Sequence, residues 1–355
     1  MPSVTASGYH VEIGRDALMN LNAFLRKKKY SSVFILGDEN SFQYCLPELL
    51  YHCDSLHESN LLEIESGEQS KQFPIAIDLL KSLTESKADR NSVMLNLGGG
   101  VVGDLGGFVA SLYMRGIDFI QVPTTLLAMA DSSVGGKTGI DFEGLKNQIG
   151  TIQQPAGVFI YPSFLNSLPK EQLLSGMAEI IKAGLIADKE LFLQLSRIKK
   201  IGNNTLEKII FRSVEIKNAI VKKDPKEKNQ RKLLNFGHTV GHAMEMLMQE
   251  AGNPLTHGYA VAIGMLVESD ISHISGRLPK SDLVKIERSI LRWYVLPQFN
   301  DVSIEALIVR MRQDKKNRDG KIHFTLLKRI GSAEVNGIVS EDLMIASLKR
   351  ICRLN

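Results

Sequence analysis

The chain has 355 residues, which is longer than a domain with a single hydrophobic core usually is, so we expect two domains. Hydrophobic residues make up 44% of it and charged residues 23%, and no apolar run approaches the length of a membrane span, so we expect a cytoplasmic protein without a signal peptide. The net charge is +4, and the basic residues are dispersed along the sequence. This distribution argues against a nucleic-acid partner and suits a small anionic ligand.

The first part of the chain alternates short apolar runs with helical patterns. Short runs at residues 32–36, 61–64, 93–97, 119–122 and 158–160 predict strands, and several of them are continuous in apolar character, as buried parallel strands are. Helical patterns at 74–87 and 102–114 complete repeated βαβ units. We therefore predict a doubly wound, mostly parallel α/β domain over residues 1–165, with ligands beyond the carboxyl ends of its strands.

Several loops after these strands offer groups to a nucleotide. The segment 98–104 ends a strand, opens a helix and matches Gly-x-Gly-x-x-Gly, which can place backbone amides against a pyrophosphate. The match alone is weak evidence for nucleotide binding, because a tight strand-to-helix turn that binds no ligand can have the same glycines. Two other strand ends offer Asp38 for ribose hydroxyls and Glu68 with Lys71.

Basic residues in two regions are candidates for an anionic ligand. Segment 123–139 contains Gly-Gly-Lys-Thr, but Asp131 stands where a phosphate-binding loop needs its earlier glycine, so a nucleoside-triphosphatase is excluded. We interpret Lys137, Lys146 and Asn147 as separate donors instead. A further basic set lies in the helical part of the chain: Lys217, Arg231, Lys315 and Lys316. Each of these charges also fits an ordinary solvated surface position.

The alternation stops after residue 162, and long helical patterns follow. They cover residues 170–186, 206–222, 232–248, 259–274 and 283–293, with one β-like exception at 322–327. We predict an all-α domain over residues 166–355. A cleft between two such domains is where we expect the chemistry.

Three of the eight histidines fall within twenty residues. His238 and His242 are four apart, so in a helix both rings project from one face, and His257 follows a segment of helix breakers. That spacing suits a metal, although buried histidines also serve as hydrogen-bonding groups. A zinc-protease helix is excluded, because Thr239 replaces its catalytic glutamate.

A catalytic zinc site usually takes three protein ligands, and the three scattered cysteines do not supply one. Glu179 is the best further candidate, since it lies with Lys182 in an otherwise apolar helical run. An ordinary ion pair on a helix surface explains the same two residues.

Taken together, these motifs resemble the 3-dehydroquinate synthase family of the shikimate pathway, from about Asp38 to about Lys316. The most specific segments are 98–104, 113–117, 123–139, 176–182 and 234–242. Their occurrence in one order makes chance improbable. The resemblance implies a homodimer with an N-terminal NAD-binding α/β domain and a C-terminal helical domain that carries zinc or cobalt.

The resemblance also implies roles by position. The metal ligands are expected to be Glu179, His238 and His257. The expected NAD contacts are Asp38, Asn40, Glu68, Lys71, Gly99, Gly100, Val101, Asp104, Thr124, Thr125, Lys137, Lys146, Phe164 and Ser167. The expected substrate contacts are Asp131, Lys137, Asn147, Lys182, Lys217, Glu227, Arg231, Asn235 and His242, with one of Lys315 and Lys316, and with Arg115 reaching the partner subunit's phosphate site.

The implied reaction starts from 3-deoxy-D-arabino-heptulosonate 7-phosphate. NAD oxidises the C5 hydroxyl, phosphate leaves and takes the proton, the hydride returns, and an internal aldol step gives 3-dehydroquinate. The alternatives are a sister cyclase whose sugar phosphate lacks a carboxylate, an enzyme for an aminated analogue, a metal-dependent polyol dehydrogenase, and a non-catalytic metabolite-binding protein. Arg231 with Asn235, beside Lys137 and Lys217, favours a carboxylate-bearing substrate. Tyr259 and Ser167 depart from the residues frequent in the family.

Overall fold

A computed structural model describes residues 3–143, 145–198, 202–297, 303–312 and 321–353. The chain forms two compact units, the first comprising Met1–Pro169 with Gly202–Asn218 and the second comprising Lys170–Ile201 with Ala219–Asn355. The first change of unit lies near the boundary predicted after residue 165, and Gly202–Asn218 then returns to the first unit. No helix within the described ranges is long and apolar enough to cross a membrane.

The first unit contains a seven-stranded sheet and a separate two-stranded ribbon. Its strands are β1 (Ser3–Thr5), β2 (His10–Ile13), β3 (Val33–Asp38), β4 (Asn60–Ile64), β5 (Val93–Gly98), β6 (Asp118–Pro123), β7 (Lys137–Phe142), β8 (Leu145–Ile152) and β9 (Gly157–Ile160). The sheet order is β1-β2-β9-β6-β5-β3-β4, and every pairing is parallel apart from β1 with β2. The predicted α/β class is therefore confirmed.

The predicted strands correspond to β3, β4, β5, β6 and β9. Four of them are buried along most of their length and carry continuous apolar runs, as expected of parallel strands, whereas β4 is an edge strand and is mostly exposed. The apolar pattern does not reveal β1 and β2, which are very short, or the antiparallel ribbon of β7 and β8. Residues of β8 are exposed or half-buried throughout, so that strand carries no apolar run.

The helices of the first unit include α1 (Ala17–Lys28), α2 (Glu39–Tyr44), α3 (Leu46–His52), α4 (Phe73–Glu85) and α5 (Gly100–Leu112). Helices α4 and α5 correspond to the two predicted patterns. Helix α5 lies very close to the sheet at Gly106, where a Cβ would be 2.0 Å from Asn96 Oδ1 on β5. Because β5 ends at Gly98 and α5 begins at Gly100, the start of α5 lies at the carboxyl edge of the sheet.

The second unit is mainly helical. The remaining helices are α6 (Lys170–Ala187), α7 (Lys189–Arg197), α8 (Asn203–Lys223), α9 (His238–Glu250), α10 (His257–Ile274), α11 (Lys280–Trp293), α12 (Ile304–Arg312) and α13 (Glu341–Ile351), and α8 begins within the first unit. Strands β10 (Phe324–Arg329) and β11 (Ser332–Gly337) form an antiparallel hairpin, where the sequence indicated one β-like exception.

The helix predicted from residue 232 begins later than expected. A short 3-10 helix covers Gln230–Asn235, and Gly237 then takes a φ of 80°, in the left-handed region that favours glycine. Helix α9 therefore starts at His238. This break places the histidine at a helix N-terminus instead of within a helix.

Helices α9 and α10 pack closely where glycines face each other. A Cβ on Gly264 of α10 would lie 1.8 Å from the carbonyl oxygen of Gly237, and a Cβ on Gly241 of α9 would lie 3.0 Å from that of Ala260. Only hydrogen fits at Gly264 without displacing the start of α9. The position of His238 relative to α10 therefore depends on this contact.

We expect Gly264→Ala to lower the free energy of unfolding by about 2 kcal/mol, because overpacking must push the two helices apart. Gly202→Ala is the control, since a Cβ there meets nothing within 4 Å, and its effect should stay within about 0.5 kcal/mol. Urea unfolding followed by circular dichroism measures both. Equal stability of the two variants would contradict the packing argument.

Candidate active site

Two histidines and a glutamate from three helices form a compact cluster in the second unit. Glu179 lies inside α6, whereas His238 and His257 are the first residues of α9 and α10. The Nε2 atom of each imidazole lies 3.5 Å from Glu179 Oε1. One donor atom from each residue lies within 4.8 Å of the others, which is close enough for all three to bind one ion.

The other nitrogen of each imidazole faces an oxygen. His238 Nδ1 lies 3.1 Å from Phe236 O, and His257 Nδ1 lies 3.3 Å from Glu245 Oε2. A carbonyl or an ionised carboxylate only accepts hydrogen bonds, so we assign a proton to Nδ1 in both rings, which leaves Nε2 as the nitrogen that can bind an ion. Histidines that bind metals are held in this way. The donor set therefore fits a divalent ion such as zinc.

Glu179 and Lys182 form an ion pair inside the second unit. Both are 2% exposed, which rules out the surface pair considered from the sequence. Burial raises the pKa of the Glu179 carboxyl, but Lys182 and His257 outweigh this and lower it to about 2. Glu179 therefore presents an ionised carboxylate to the two histidines.

His257 lies between two carboxylates, those of Glu179 and Glu245. Burial lowers the pKa of its imidazole, whereas hydrogen bonds and charge interactions with these two groups raise it to about 9. The negative charges of these two carboxylates attract a proton and a metal ion alike. A metal ion that binds here therefore competes with a proton at Nε2 of His257.

His242 lies beside the cluster. Its ring centroid is 5.1 Å from that of His238 and 5.9 Å from that of His257. The four-residue spacing does place His238 and His242 on one face of α9, as predicted. Among the described residues, however, the compact donor group consists of Glu179, His238 and His257. His242 is therefore next to this donor group and not part of it.

The connection between α8 and α9 carries three predicted substrate residues. Arg231 is 3% exposed, and its Nη1 donates a 2.7 Å hydrogen bond to Pro225 O. Asp224 accepts three backbone N–H groups of this connection at 2.6–3.0 Å. Asn235 Nδ2 donates a 2.8 Å hydrogen bond to Glu227 Oε1. The guanidinium and the amide are thus held by the chain itself.

The first unit brings together some of its predicted substrate residues. Lys217 on α8 is 7% exposed, and its Nζ lies 3.0 Å from Asp131 Oδ2 and 2.6 Å from Asp131 O. Lys137 begins β7, while Asn147 lies on β8 with a φ of 52°. Asp141 Oδ1 accepts a 2.7 Å hydrogen bond from the Asn147 N–H and so supports this left-handed conformation.

The predicted NAD contacts gather at one edge of the sheet. Five adjacent parallel strands, β9, β6, β5, β3 and β4, end there. At these strand ends or in the turns and helix starts that follow lie Phe164, Ser167, Thr124, Thr125, Gly99, Gly100, Val101, Asp104, Asp38, Asn40, Glu68 and Lys71. Lys137 and Lys146 lie on the ribbon instead. This edge is where doubly wound sheets bind nucleotides.

An ion pair between a buried lysine and a half-buried aspartate fixes two of these groups. Lys71 is 3% exposed, and its Nζ lies 2.7 Å from Asp104 Oδ2 and 3.8 Å from Glu68 Oε1. Burial lowers the pKa of Lys71, but Asp104 and Glu68 raise it above its usual value. The ammonium group therefore stays charged. Asp38 has a structural contact as well, because its Oδ1 accepts the Ser41 N–H at 2.7 Å and caps α2.

The remaining predicted substrate residues are Arg115 and one of Lys315 and Lys316. Arg115 is exposed on the turn after α5, where it takes a φ of 68° directly after Met114 at 48°. Two consecutive left-handed residues with side chains are unfavourable, so the flanking structure must hold this turn. Lys315 and Lys316 lie outside the described residues.

Two residues at the site were not predicted from the sequence. Glu245 faces His257 from α9, and Asp141 holds the backbone of Asn147 where the pairing of β7 with β8 is irregular. Glu245 follows His238 by seven residues, a spacing that places both on one helix face and offered a usable signal. Asp141 offered none, because its acceptor role depends on the register of the ribbon.

Sequence comparisons match most of the chain to one family. A family model described as 3-dehydroquinate synthase N-terminal matches residues 61–175, and one described as 3-dehydroquinate synthase C-terminal matches residues 176–317. A 3-dehydroquinate synthase from Parabacteroides distasonis is 39% identical over 340 residues, which cover 95% of this chain and 96% of that protein.

Solved structures share the fold over nearly the full length. A 2-deoxy-scyllo-inosose synthase, complexed with carbaglucose-6-phosphate, NAD+ and Co2+, has a TM-score of 0.86 at 22% identity and covers 99% of both chains. A 2-epi-5-epi-valiolone synthase from Streptomyces hygroscopicus subsp. jinggangensis, with NAD+ and Zn2+ bound, has a TM-score of 0.85 at 27% identity and covers 100% of this chain and 99% of its own.

We expect His238→Ala and His257→Ala each to weaken Co2+ binding by more than about 100-fold. Loss of a residue that only supports a metal ligand weakens binding by up to about 100-fold, and these variants lose a ligand itself. Competition with a chelator, followed by the d–d absorption of Co2+, measures this affinity. His273→Ala is the control, because this histidine lies at the other end of α10 and its Nδ1 faces Leu278 O at 2.8 Å. Unchanged Co2+ affinity in either of the first two variants would contradict the assignment.

Proposed function

Because the chain belongs to the 3-dehydroquinate synthase family, we propose that it converts 3-deoxy-D-arabino-heptulosonate 7-phosphate into 3-dehydroquinate and inorganic phosphate. The reaction is a lyase reaction, since a carbon–oxygen bond to phosphate is broken by elimination. The structural observation that carries the proposal is the cluster of Glu179, His238 and His257. In both histidines Nδ1 already faces a hydrogen-bond acceptor, so Nε2 is directed toward the cluster.

The proposed cofactors are NAD and one divalent ion, zinc or cobalt. When bound, NAD takes up and returns the hydride, and the ion polarises the hydroxyl that is oxidised. Glu179, His238 and His257 hold the ion, and the carboxyl edge of the sheet holds the nucleotide. Lys71 stays charged at this edge beside Asp104, so it can attract the anionic cofactor without a change in its own protonation.

The substrate has two anionic ends, and the proposed contacts differ for each. Arg231 and Asn235 bind the carboxylate, because a guanidinium fork matches a carboxylate in two hydrogen bonds. Burial of Arg231 and its bond to Pro225 O support this role, since the side chain is ordered before a ligand arrives. Such preorganised donors act mainly through position and electrostatics.

The donor that we propose for the phosphate end is His242, with Arg115 reaching the site of the partner subunit, while Lys137 and Asn147 are further donors to the anionic substrate. Lys182 and Lys217 add positive charge near the reacting carbons. The departing phosphate accepts the proton from the adjacent carbon, so the chain needs no strong base of its own. Thr239 after His238, where a zinc protease has its glutamate, is compatible with this division of roles.

The homodimer and the cytoplasmic location expected from the resemblance are part of the same proposal. The homodimer matters for the chemistry because Arg115 then acts across subunits. Light scattering on the purified protein measures the mass in solution. A mixture of inactive Arg115→Ala and inactive His238→Ala proteins should regain part of the activity if subunits exchange, because one mixed site then has both groups.

The decisive assay follows two signals together. Purified protein with NAD, Co2+ and the heptulosonate phosphate should release inorganic phosphate, while absorbance of NADH at the end of turnover stays at baseline. Lasting NADH would indicate a polyol dehydrogenase, and binding without phosphate release would indicate a metabolite-binding protein. A folded, metal-loaded sample that releases phosphate from glucose 6-phosphate instead would assign a sister cyclase.

Arg231→Ala should reduce kcat/KM for the heptulosonate phosphate roughly 30-fold or more, the equivalent of about 2 kcal/mol for a hydrogen-bonded charge. The dissociation constant of NAD should change little. Arg277→Ala is the control, because this guanidinium pairs with Glu334 Oε1 at 2.8 Å and has no proposed ligand contact. Equal losses of substrate handling and NAD binding in Arg231→Ala would refute the role given to it.

A further inference from the structure

A fully buried carboxylate outside the predicted site residues contacts the start of α9. Glu268 lies on α10 and is 0% exposed. Its Oε2 accepts the Gly237 N–H at 2.7 Å, and its Oε1 accepts the N–H groups of Thr239 and Val240 at 3.1 and 3.3 Å. These three donors lie on both sides of His238. The carboxylate therefore brackets the backbone of a proposed metal ligand.

The first of these bonds belongs to a chain of two hydrogen bonds that ends on the imidazole. The Gly237 N–H and the Phe236 carbonyl are parts of one planar peptide group. The N–H side of this group donates to Glu268, and its carbonyl side lies 3.1 Å from His238 Nδ1. A peptide that donates to a negative charge is polarised, so its carbonyl becomes a stronger acceptor.

We propose that Glu268 is a positioning residue for the metal site, which fixes the ring orientation and the Nδ1–H tautomer of His238 through the peptide group between Phe236 and Gly237. The inference rests on the proposed metal-dependent function. It adds a residue that contacts neither the ion nor the substrate.

Both proposed imidazole ligands are then backed by a carboxylate, in two different ways. Glu245 Oε2 faces His257 Nδ1 directly at 3.3 Å, whereas Glu268 acts on His238 through one peptide group. Groups behind metal-binding histidines orient the ring and tune the ligand. At His238 the carboxylate acts through the peptide group because Nδ1 of this ring faces the Phe236 carbonyl and not a carboxylate.

The local sequence explains why a charge is tolerated at Glu268. A buried carboxylate is unfavourable unless hydrogen bonds and a favourable field offset its lost hydration. The N–H groups at the start of α9, which have no acceptor within their own helix, supply both, because a helix N-terminus carries partial positive charge. Gly264, one turn before Glu268 on α10, has no side chain to keep Gly237 away.

The test compares Glu268→Gln with Asp270→Asn. The Gln variant keeps the shape but turns an amide N–H2 or a weaker oxygen toward the Gly237 N–H. Asp270 is the matched control, because it is a buried carboxylate on the same helix that pairs with Arg350 Nε at 2.8 Å and not with α9. Chelator competition gives the Co2+ affinity, the d–d spectrum reports coordination, and thermal unfolding of the metal-free protein gives stability.

We expect Glu268→Gln to weaken Co2+ binding about 10-fold and to alter its d–d spectrum, the lower range for losing a group behind a ligand. Asp270→Asn should lose stability but keep the wild-type affinity and spectrum. Wild-type Co2+ affinity in Glu268→Gln would overturn the proposal. Equal weakening in both variants would also overturn it, since that result needs only a general loosening of α10.

A second variant covers the case in which Glu268→Gln does not fold. Glu268→Asp keeps the charge but shortens the side chain, so the carboxylate recedes from the Gly237 N–H, and Co2+ affinity should fall several-fold. An unchanged affinity in this variant would overturn the proposal. Wild-type protein that does not bind Co2+ at all would instead defeat the proposed function, so the two failures are distinguishable.

Discussion

The close contact between α9 and α10 is the constraint on which the candidate metal site depends. Both helices begin with a histidine of the cluster, and Gly237 and Gly264 let the two backbones approach. Each imidazole is therefore placed by a helix start that is packed on its neighbour. A ligand placed in this way moves only if the helices move. Precise positions for ligands are easier to hold on packed helices than on loops.

Buried lysines that pair with a carboxylate recur in both units. Lys71 with Asp104 and Lys217 with Asp131 lie in the first unit, and Glu179 with Lys182 lies in the second. Ionised groups lose hydration when they are buried, so each must have a partner that remains in place. Residues with proposed roles toward anions are consequently ordered by the protein itself. Little reorganisation is then required when a ligand arrives, which is the condition for strong electrostatic stabilisation.

Regular elements with a strong apolar pattern could be predicted from the sequence, and elements defined by pairing could not. Strands β3, β5, β6 and β9 have buried, continuous apolar runs, whereas β8 has no such run and is defined by its register with β7. The start of α9 could not be predicted from the apolar pattern either. Apolar spacing extends upstream of His238, but the left-handed conformation of Gly237 ends the preceding turn and begins a new helix.

The sequence by itself determined which residues could do chemistry: a pair of histidines on one helix face, a glutamate with a lysine in an apolar run, and glycine-rich or charged strand ends. These properties are local, because they follow from side-chain type and helix or strand spacing. The tertiary structure decided which of them meet. It joined Glu179 to His238 and His257, left His242 beside them, and put Glu245 and Glu268 behind the two imidazoles. Distances between residues on different helices depend on packing, and no local pattern encodes them.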